Sequence, residues 1–231
     1  MPEPVQVRTM FSRIAGIYDL LNRVLSLGID QRWRRRTVIS AGAVKGAMVV
    51  DACCGTGDLS IAFARSGARV VGVDFTHEMV ARAPRKLRDA SDKVSFIHGD
   101  ALCLPVRDGA ADVASVAFGI RNVADPDEGL RELRRVLRVG GRVLVLEFST
   151  PPGKILGGLY RFYFTKLLPF VGGLLSRDAE AYEYLPRTVL AWPKPADFQA
   201  SMEAAGFHDC GYQLLSGGIA CLHYGSASEL Q

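Results

Sequence analysis

The sequence predicts an α/β fold, a mostly parallel sheet with helices on both faces. Two observations carry that expectation. From Met48 onward, short runs rich in β-branched and aromatic residues alternate with stretches of helical periodicity, the order of a repeated βαβ unit. The first of those runs opens into a glycine turn, VVDACCGTGDLS over residues 49–60, and such sheets hold their ligands outside the C-terminal ends of their strands.

The elements follow in order. Met10, Phe11, Ile14, Ile17, Tyr18 and Leu21 recur at helical spacing, and Gln31 to Ala41 reads as a second, basic helix carrying Arg32, Arg34, Arg35 and Arg36. Residues 1–45 are therefore an N-terminal helical cap. The core, 46–149, starts with strand MVVDA and a helix after Asp58, then strand RVVGVD and a helix through Met79 and Leu87, then strands VSFIHGD and DVASVAF. DPDEGLRELRRVLRVGG places acids first, bases last and paired glycines beyond, the order a helix prefers, and RVLVLEF is the fifth strand. Beyond Glu147 the alternation stops, so 150–194 reads as a substrate lid inserted over the strand ends. A helix near Pro195 to Ala205 and two strand-like runs, DCGYQLL and GIACLHYG, return the chain to the sheet over 195–231, completing one domain.

Composition narrows the class. The chain has 231 residues, 48% hydrophobic and 23% charged, enough for a core of its own. Its net charge is only +4, so clustering alone could attract phosphates, and nucleic acid is not an expected partner. Five cysteines, with Cys53 and Cys54 adjacent, give no disulfide framework and fit a reducing, cytoplasmic setting. MPEPVQVRTMF lacks the apolar core of a secretory signal. Residues 155–175 are apolar, yet Arg161 and Lys166 each cost about 3 kcal/mol at a bilayer centre and Pro169 interrupts them, so the segment reads as a lid or an interfacial element. A peripheral membrane contact through Arg32 to Arg36 and self-association both stay open.

The glycine turn is defined by elimination. No lysine follows Gly57, as a triphosphate-binding loop needs, and adjacent cysteines do not have zinc-ligand spacing, so no metal is expected. A dinucleotide fingerprint would have a third glycine where Ser60 stands, and Asp58 would repel an approaching pyrophosphate, unless it is simply the N-cap of its helix. A phosphate-free ligand with a ribose fits better. Asp74 ends the second strand, where an acid accepts ribose hydroxyls, and Asp100 offers an acceptor for an adenine amino group. S-adenosylmethionine meets these demands. A nicotinamide-dependent oxidoreductase and a lipid-associated binding protein without turnover are the competing classes.

Several stretches resemble the UbiE/MenG family, the C-methyltransferases of menaquinone and ubiquinone biosynthesis: YDLLNRVLSLGIDQRW (18–33), DACCGTGD, FGIRNV (118–123), RVLRVGGRVLVLEFS (135–149), AYEYL (181–185) and GGIACLHYG (217–225). The resemblance implies a class I S-adenosylmethionine-dependent methyltransferase, a Rossmann-like sheet of seven strands with the last antiparallel. It implies cofactor contacts at Thr56, Asp74, Asp100 and Ala101 and a backbone contact at Ala117, where the family usually has serine; Asp51, Gly55 and Gly57 of the turn are further candidate cofactor contacts. Asp30 stands where the family often has histidine. The implied substrate is a polyprenyl quinol, demethylmenaquinol ahead of a ubiquinone precursor. A ring carbon attacks only once its neighbouring hydroxyl, of pKa near 10, loses its proton. Arg121 would then hold the anionic oxygen while Asn122 orients the ring, with water or Asp19, beside Tyr18, as base. Tyr18, Tyr182 and Tyr184 read more readily as core or rim packing than as catalytic groups, and His223 as a structural histidine. Glu147 is left open between the pocket and a helix cap.

Overall fold

A computed structural model describes residues 4–26, 28–87, 93–153, 157–158 and 179–228. The cap holds α1 (Pro4–Ile14), α2 (Tyr18–Leu25) and α3 (Ile29–Ser40). The single helix expected through Leu21 is two, because the run contains Gly16, a poor helix former, and the chain turns over Ala15 to Ile17.

The core continues with β1 (Met48–Ala52), α4 (Asp58–Arg65), β2 (Arg69–Asp74), α5 (His77–Val80), β3 (Val94–His98), β4 (Ala111–Ala117), α6 (Pro126–Val136) and β5 (Leu137–Phe148). The long helix expected through Leu87 stops after α5 and resumes only as a 3-10 turn, Ala83–Lys86, where Pro84 brings no N–H to the ladder. Asp125 caps α6, its Oδ1 accepting from Glu128 N at 3.0 Å. Then come α7 (Ala179–Ala191), α8 (Pro195–Ala204), β6 (Phe207–Leu215) and β7 (Ala220–Ala227).

The seven strands lie in the order β3-β2-β1-β4-β5-β7-β6. Strands β1 to β5 run parallel, and β7 is antiparallel to both β5 and β6, as the resemblance implied. The central strands are apolar on both faces: Val49, Val50, Val143 and Leu144 are fully buried. One face packs Trp33, Leu59 and Phe63 of α3 and α4; the other packs Leu130, Leu133, Phe198 and Met202 of α6 and α8. Cutting a side chain as enclosed as Phe63 back to alanine costs about 3–5 kcal/mol.

The chain winds outward from β1 to β3 and then returns to β4 on the other side of β1. At that reversal the loops leaving β1 and β4 diverge and open a crevice above the strand ends. Most of the expected lid, including the apolar segment 155–175, lies outside the described residues, as does the side chain of Tyr182. Among the described residues no helix is long and apolar enough to cross a membrane.

Candidate active site

The loop after β1 is shaped by backbone geometry before any ligand is considered. Cys53, Gly55 and Gly57 have left-handed φ of 50°, 56° and 81°. A Cβ on Gly57 would lie 2.5 Å from the Phe96 ring, so this glycine allows α4 to close on the sheet. Beneath the loop, Asp51 accepts from Ser60 Oγ at 2.5 Å and Ser115 Oγ at 2.8 Å, tying β1 to α4 and β4. Burial raises its pKa to about 6 against the pull of those two hydroxyls. Asp51 and Gly57, named from the sequence as cofactor contacts, therefore brace the loop from behind and do not line the cavity in front of it.

That cavity brings together Gly55, Asp74, Asp100, Ala101 and Ala117 with Tyr18 and Asn122. Asp74 organises it. Oδ2 accepts from Gly55 N and Oδ1 from Thr76 N, both at 2.8 Å, and the Thr76 side chain also donates to the carboxylate, which keeps acceptor capacity for an incoming hydroxyl. Burial pushes this carboxyl's pKa up, and the two backbone bonds resist. Exposed Asp100 accepts from Leu102 N at 2.9 Å. Facing these two acids, the described lining contributes one cation, Arg8, and apolar surface from Phe75, Met79, Leu102 and Phe118. Such a lining fits a nucleoside with a cationic arm far better than a pyrophosphate.

The far wall is strained. Phe118 has φ 60°, and the Gly119 after it has no room for a Cβ because Cys53 lies against it. Cys53 is half-buried, and desolvation together with the nearby carboxylates Asp74 and Asp51 pushes its thiol pKa well up, which disfavours the thiolate near neutral pH. Asn122 is fixed at the rim, its Oδ1 accepting from Tyr184 Oη at 2.9 Å.

Arg121 does not line the cavity. It lies behind the wall, where Nη1 donates to Glu147 Oε1 at 2.6 Å and to Phe118 O at 2.7 Å. Glu147 thus turns to Arg121, and the pair is enclosed, with side chains 5% and 0% exposed. Burial raises the Glu147 pKa, and Arg121 opposes the rise. Arg121 still acts on the cavity through its field: it opposes the upward push of burial on the phenols of both Tyr18 and Tyr184.

Asp19 and Thr56 are also elsewhere. Thr56 Oγ1 donates to Asp19 Oδ1 at 2.5 Å, and Lys86 Nζ donates to Asp19 Oδ2 at 2.9 Å and to Thr56 Oγ1 at 3.0 Å. The same ammonium pairs with Asp58. This junction locks α2 onto the glycine loop. It also corrects two readings of Asp58: the N-cap of α4 is Gly57, and Asp58 is the first helical residue. Its charge is answered as well, since Lys86 and Arg34 hold its carboxyl below the ordinary range although burial alone would raise it. Repulsion by Asp58 therefore no longer argues against a pyrophosphate; the acids inside the cavity carry that argument.

The row Arg32 to Arg36 is not one patch. Arg34 is buried beside Phe118 and faces Asp30 at 3.7 Å, while Arg36 Nε donates to Gln213 Oε1 at 2.9 Å. Asp30 itself accepts from Ser26 Oγ at 2.9 Å. His223 is buried with one ring nitrogen 3.0 Å from Pro195 O, but its Nδ1 has no hydrogen-bond partner among the described residues. Sequence reasoning missed Val7, Arg8, Phe11 and Cys53 in the lining. It also missed Lys86, for which the one available signal was that Asp19 and Asp58 need a counter-charge.

Comparison with known proteins converges on one family. The ubiE/COQ5 methyltransferase family model matches residues 3–227. A demethylmenaquinone methyltransferase of Thermus thermophilus is 49% identical over 218 residues, covering 94% of this chain and 99% of its own length. A ubiquinone/menaquinone biosynthesis C-methyltransferase UbiE of Geobacter sp. (strain M21) is 43% identical over 226 residues, covering 96% of each. Among solved structures, an S-adenosylmethionine-dependent methyltransferase of Thermotoga maritima superposes with a TM-score of 0.66 at 18% identity, covering 95% of this chain and 99% of its own. Phosphoethanolamine N-methyltransferase 2 of Haemonchus contortus, in complex with S-adenosyl-L-methionine, gives 0.63 at 15% identity, covering 85% and 52%. With the family pattern running through nearly every described element, from the cap to β7, this S-adenosylmethionine-dependent methyltransferase belongs to the ubiE/COQ5 methyltransferase family.

Proposed function

We propose that the chain methylates a ring carbon of a polyprenyl quinol, converting demethylmenaquinol to menaquinol. The observation that carries the reading is a single cavity shared by the cofactor-side residues Gly55, Asp74, Asp100, Ala101 and Ala117 and the ring-side residues Tyr18 and Asn122. Menaquinone is preferred to ubiquinone because the relative that is 49% identical is named for demethylmenaquinone.

S-adenosylmethionine, when bound, supplies the methyl group on a positive sulfonium. Asp74 accepts from the ribose hydroxyls with its remaining acceptor capacity, Asp100 accepts from the adenine amino group, and Ala117 offers backbone only. Asn122, oriented by Tyr184, places the quinol ring. Arg121 stabilises the ring oxygen as it becomes anionic, acting through its field from behind Phe118. Water takes the phenolic proton, since Asp19 is engaged with Lys86 and Thr56. A prenyl tail puts the substrate in a bilayer, so the reading extends to a peripheral membrane contact.

The test supplies methyl-labelled S-adenosylmethionine with a short-chain demethylmenaquinol or a demethylated ubiquinone precursor. Label is expected in both quinols or in the naphthoquinol alone, with the naphthoquinol faster. Label in neither refutes the proposal.

A further inference from the structure

On the other side of the glycine loop from the active site lies a second cavity, of about 540 Å³. Among the described residues six cations line it: Arg23 of α2, Arg34 and Arg35 of α3, Arg65 of α4, and Arg85 and Lys86 of the 3-10 turn. Of the described carboxylates Asp58 lines it with them, and that group already pairs with Lys86. The nearby acids are engaged too, Asp19 with Lys86 and Asp30 with Arg34. Among the described residues, Arg23, Arg35, Arg65 and Arg85 form no ion pair.

Ordinary helix electrostatics explains only part of this. Arg23 and Arg65 sit in the last turns of α2 and α4, where a cation is favoured. Arg34 and Arg35 lie in the middle of α3, where the dipole offers nothing. Arg34 is moreover 7% exposed, and its Nε has only Asp30 at 3.7 Å, beyond hydrogen-bond distance, so among the described residues no acceptor completes it. Among the described residues, four elements thus bring cations to one concavity and supply too few acids to answer them.

We propose that this cavity binds a phosphate group. Guanidinium forks match phosphate oxygens in pairs, and the arginines approach from four different elements, which suits a tetrahedral anion. The chemistry is shared by a soluble phosphate and by the headgroup of an anionic phospholipid. The site is distinct from the methyl-transfer cavity, and the test reads binding, so it stands or falls independently of the activity.

Two probes separate the sources: inorganic phosphate at constant ionic strength, read by thermal melting, and flotation with vesicles of phosphatidylcholine alone or mixed equally with phosphatidylglycerol. Each is repeated on Arg65→Gln/Arg85→Gln and on Arg32→Gln/Arg36→Gln, which removes as many charges from outside the cavity. All four arginines are exposed, so both variants should fold as the parent does. The first variant is expected to lose about tenfold in affinity and the second about twofold or less. Binding of both probes with that ordering identifies the phosphate group itself; binding of the mixed vesicles alone identifies the headgroup. No binding of either probe, or equal losses in the two variants, overturns the proposal.

Discussion

Replacing Arg121 with methionine probes the enclosed pair behind the active-site wall. Glu147 would keep only backbone bonds, from Phe148 N at 2.8 Å and from the N–H of residue 121, while its side chain stays fully buried. An isolated buried carboxylate escapes by taking up a proton on folding. That uptake costs about 1.4 kcal/mol for every pH unit above the ordinary carboxyl value of 4.5. The cost is about 3.4 kcal/mol at pH 7 and about 0.7 kcal/mol at pH 5, in line with the roughly 3–5 kcal/mol lost when one partner of a buried pair is removed. The sign follows from the direction of the shift. A folded-state pKa raised above the unfolded one means that the folded protein binds more protons, so the variant loses stability as pH rises from 5 to 7. Urea unfolding, followed by tryptophan fluorescence at several pH values, measures this directly. Arg121→Met/Glu147→Gln should remove the pH dependence and recover much of the stability. A loss that does not vary with pH, or one below about 1 kcal/mol at pH 7, refutes the reasoning. Turnover adds a second readout: if the folded double variant methylates as fast as the parent, the field of Arg121 has no part in catalysis.

Three further outcomes are expected. Asp74→Asn leaves the Gly55 and Thr76 N–H groups facing a neutral amide and should weaken S-adenosylmethionine binding about tenfold or more in calorimetry; unchanged affinity would remove Asp74 from the site. Tyr184→Phe frees Asn122 and should lower kcat about three- to tenfold while leaving KM for the methyl donor in place, whereas a change confined to KM would point to a different role. Burial lowers the His223 pKa from 6.5 to about 4, so the folded protein binds fewer protons than the unfolded chain between those values. Its contribution is complete above pH 6.5 and is lost as pH falls toward 4, about 3 kcal/mol at most; His223→Leu should flatten that part of the acid-unfolding curve.

The alternation from Met48 to Phe148 made the parallel sheet legible, because each of its strands is a run of apolar residues bounded by turns. The carboxylates at the ends of β2 and β3 were legible for the same reason: a strand end is a position in sequence as well as in space. Arg121 was not. Its orientation is set by Glu147, 26 residues further on, which reaches it only because β4 and β5 are neighbours in the sheet. Lys86 was hidden likewise, since its partners Asp19 and Asp58 belong to separate helices and no local spacing links the three. The roof formed by Val7, Arg8 and Phe11 depends on how α1 folds back after Gly16, a tertiary angle that helical periodicity does not encode.

Among the described strands, β6 joins the sheet through β7, which slots between it and β5. During translation the outer edge of β5 therefore lacks its partner strand until Ala220 emerges, roughly seventy residues after Phe148. A nascent chain stalled in that interval presents a hydrophobic template to its neighbours, so overexpression is most vulnerable to aggregation there, and a chaperone that shields that edge should improve the yield more than one acting on the finished protein.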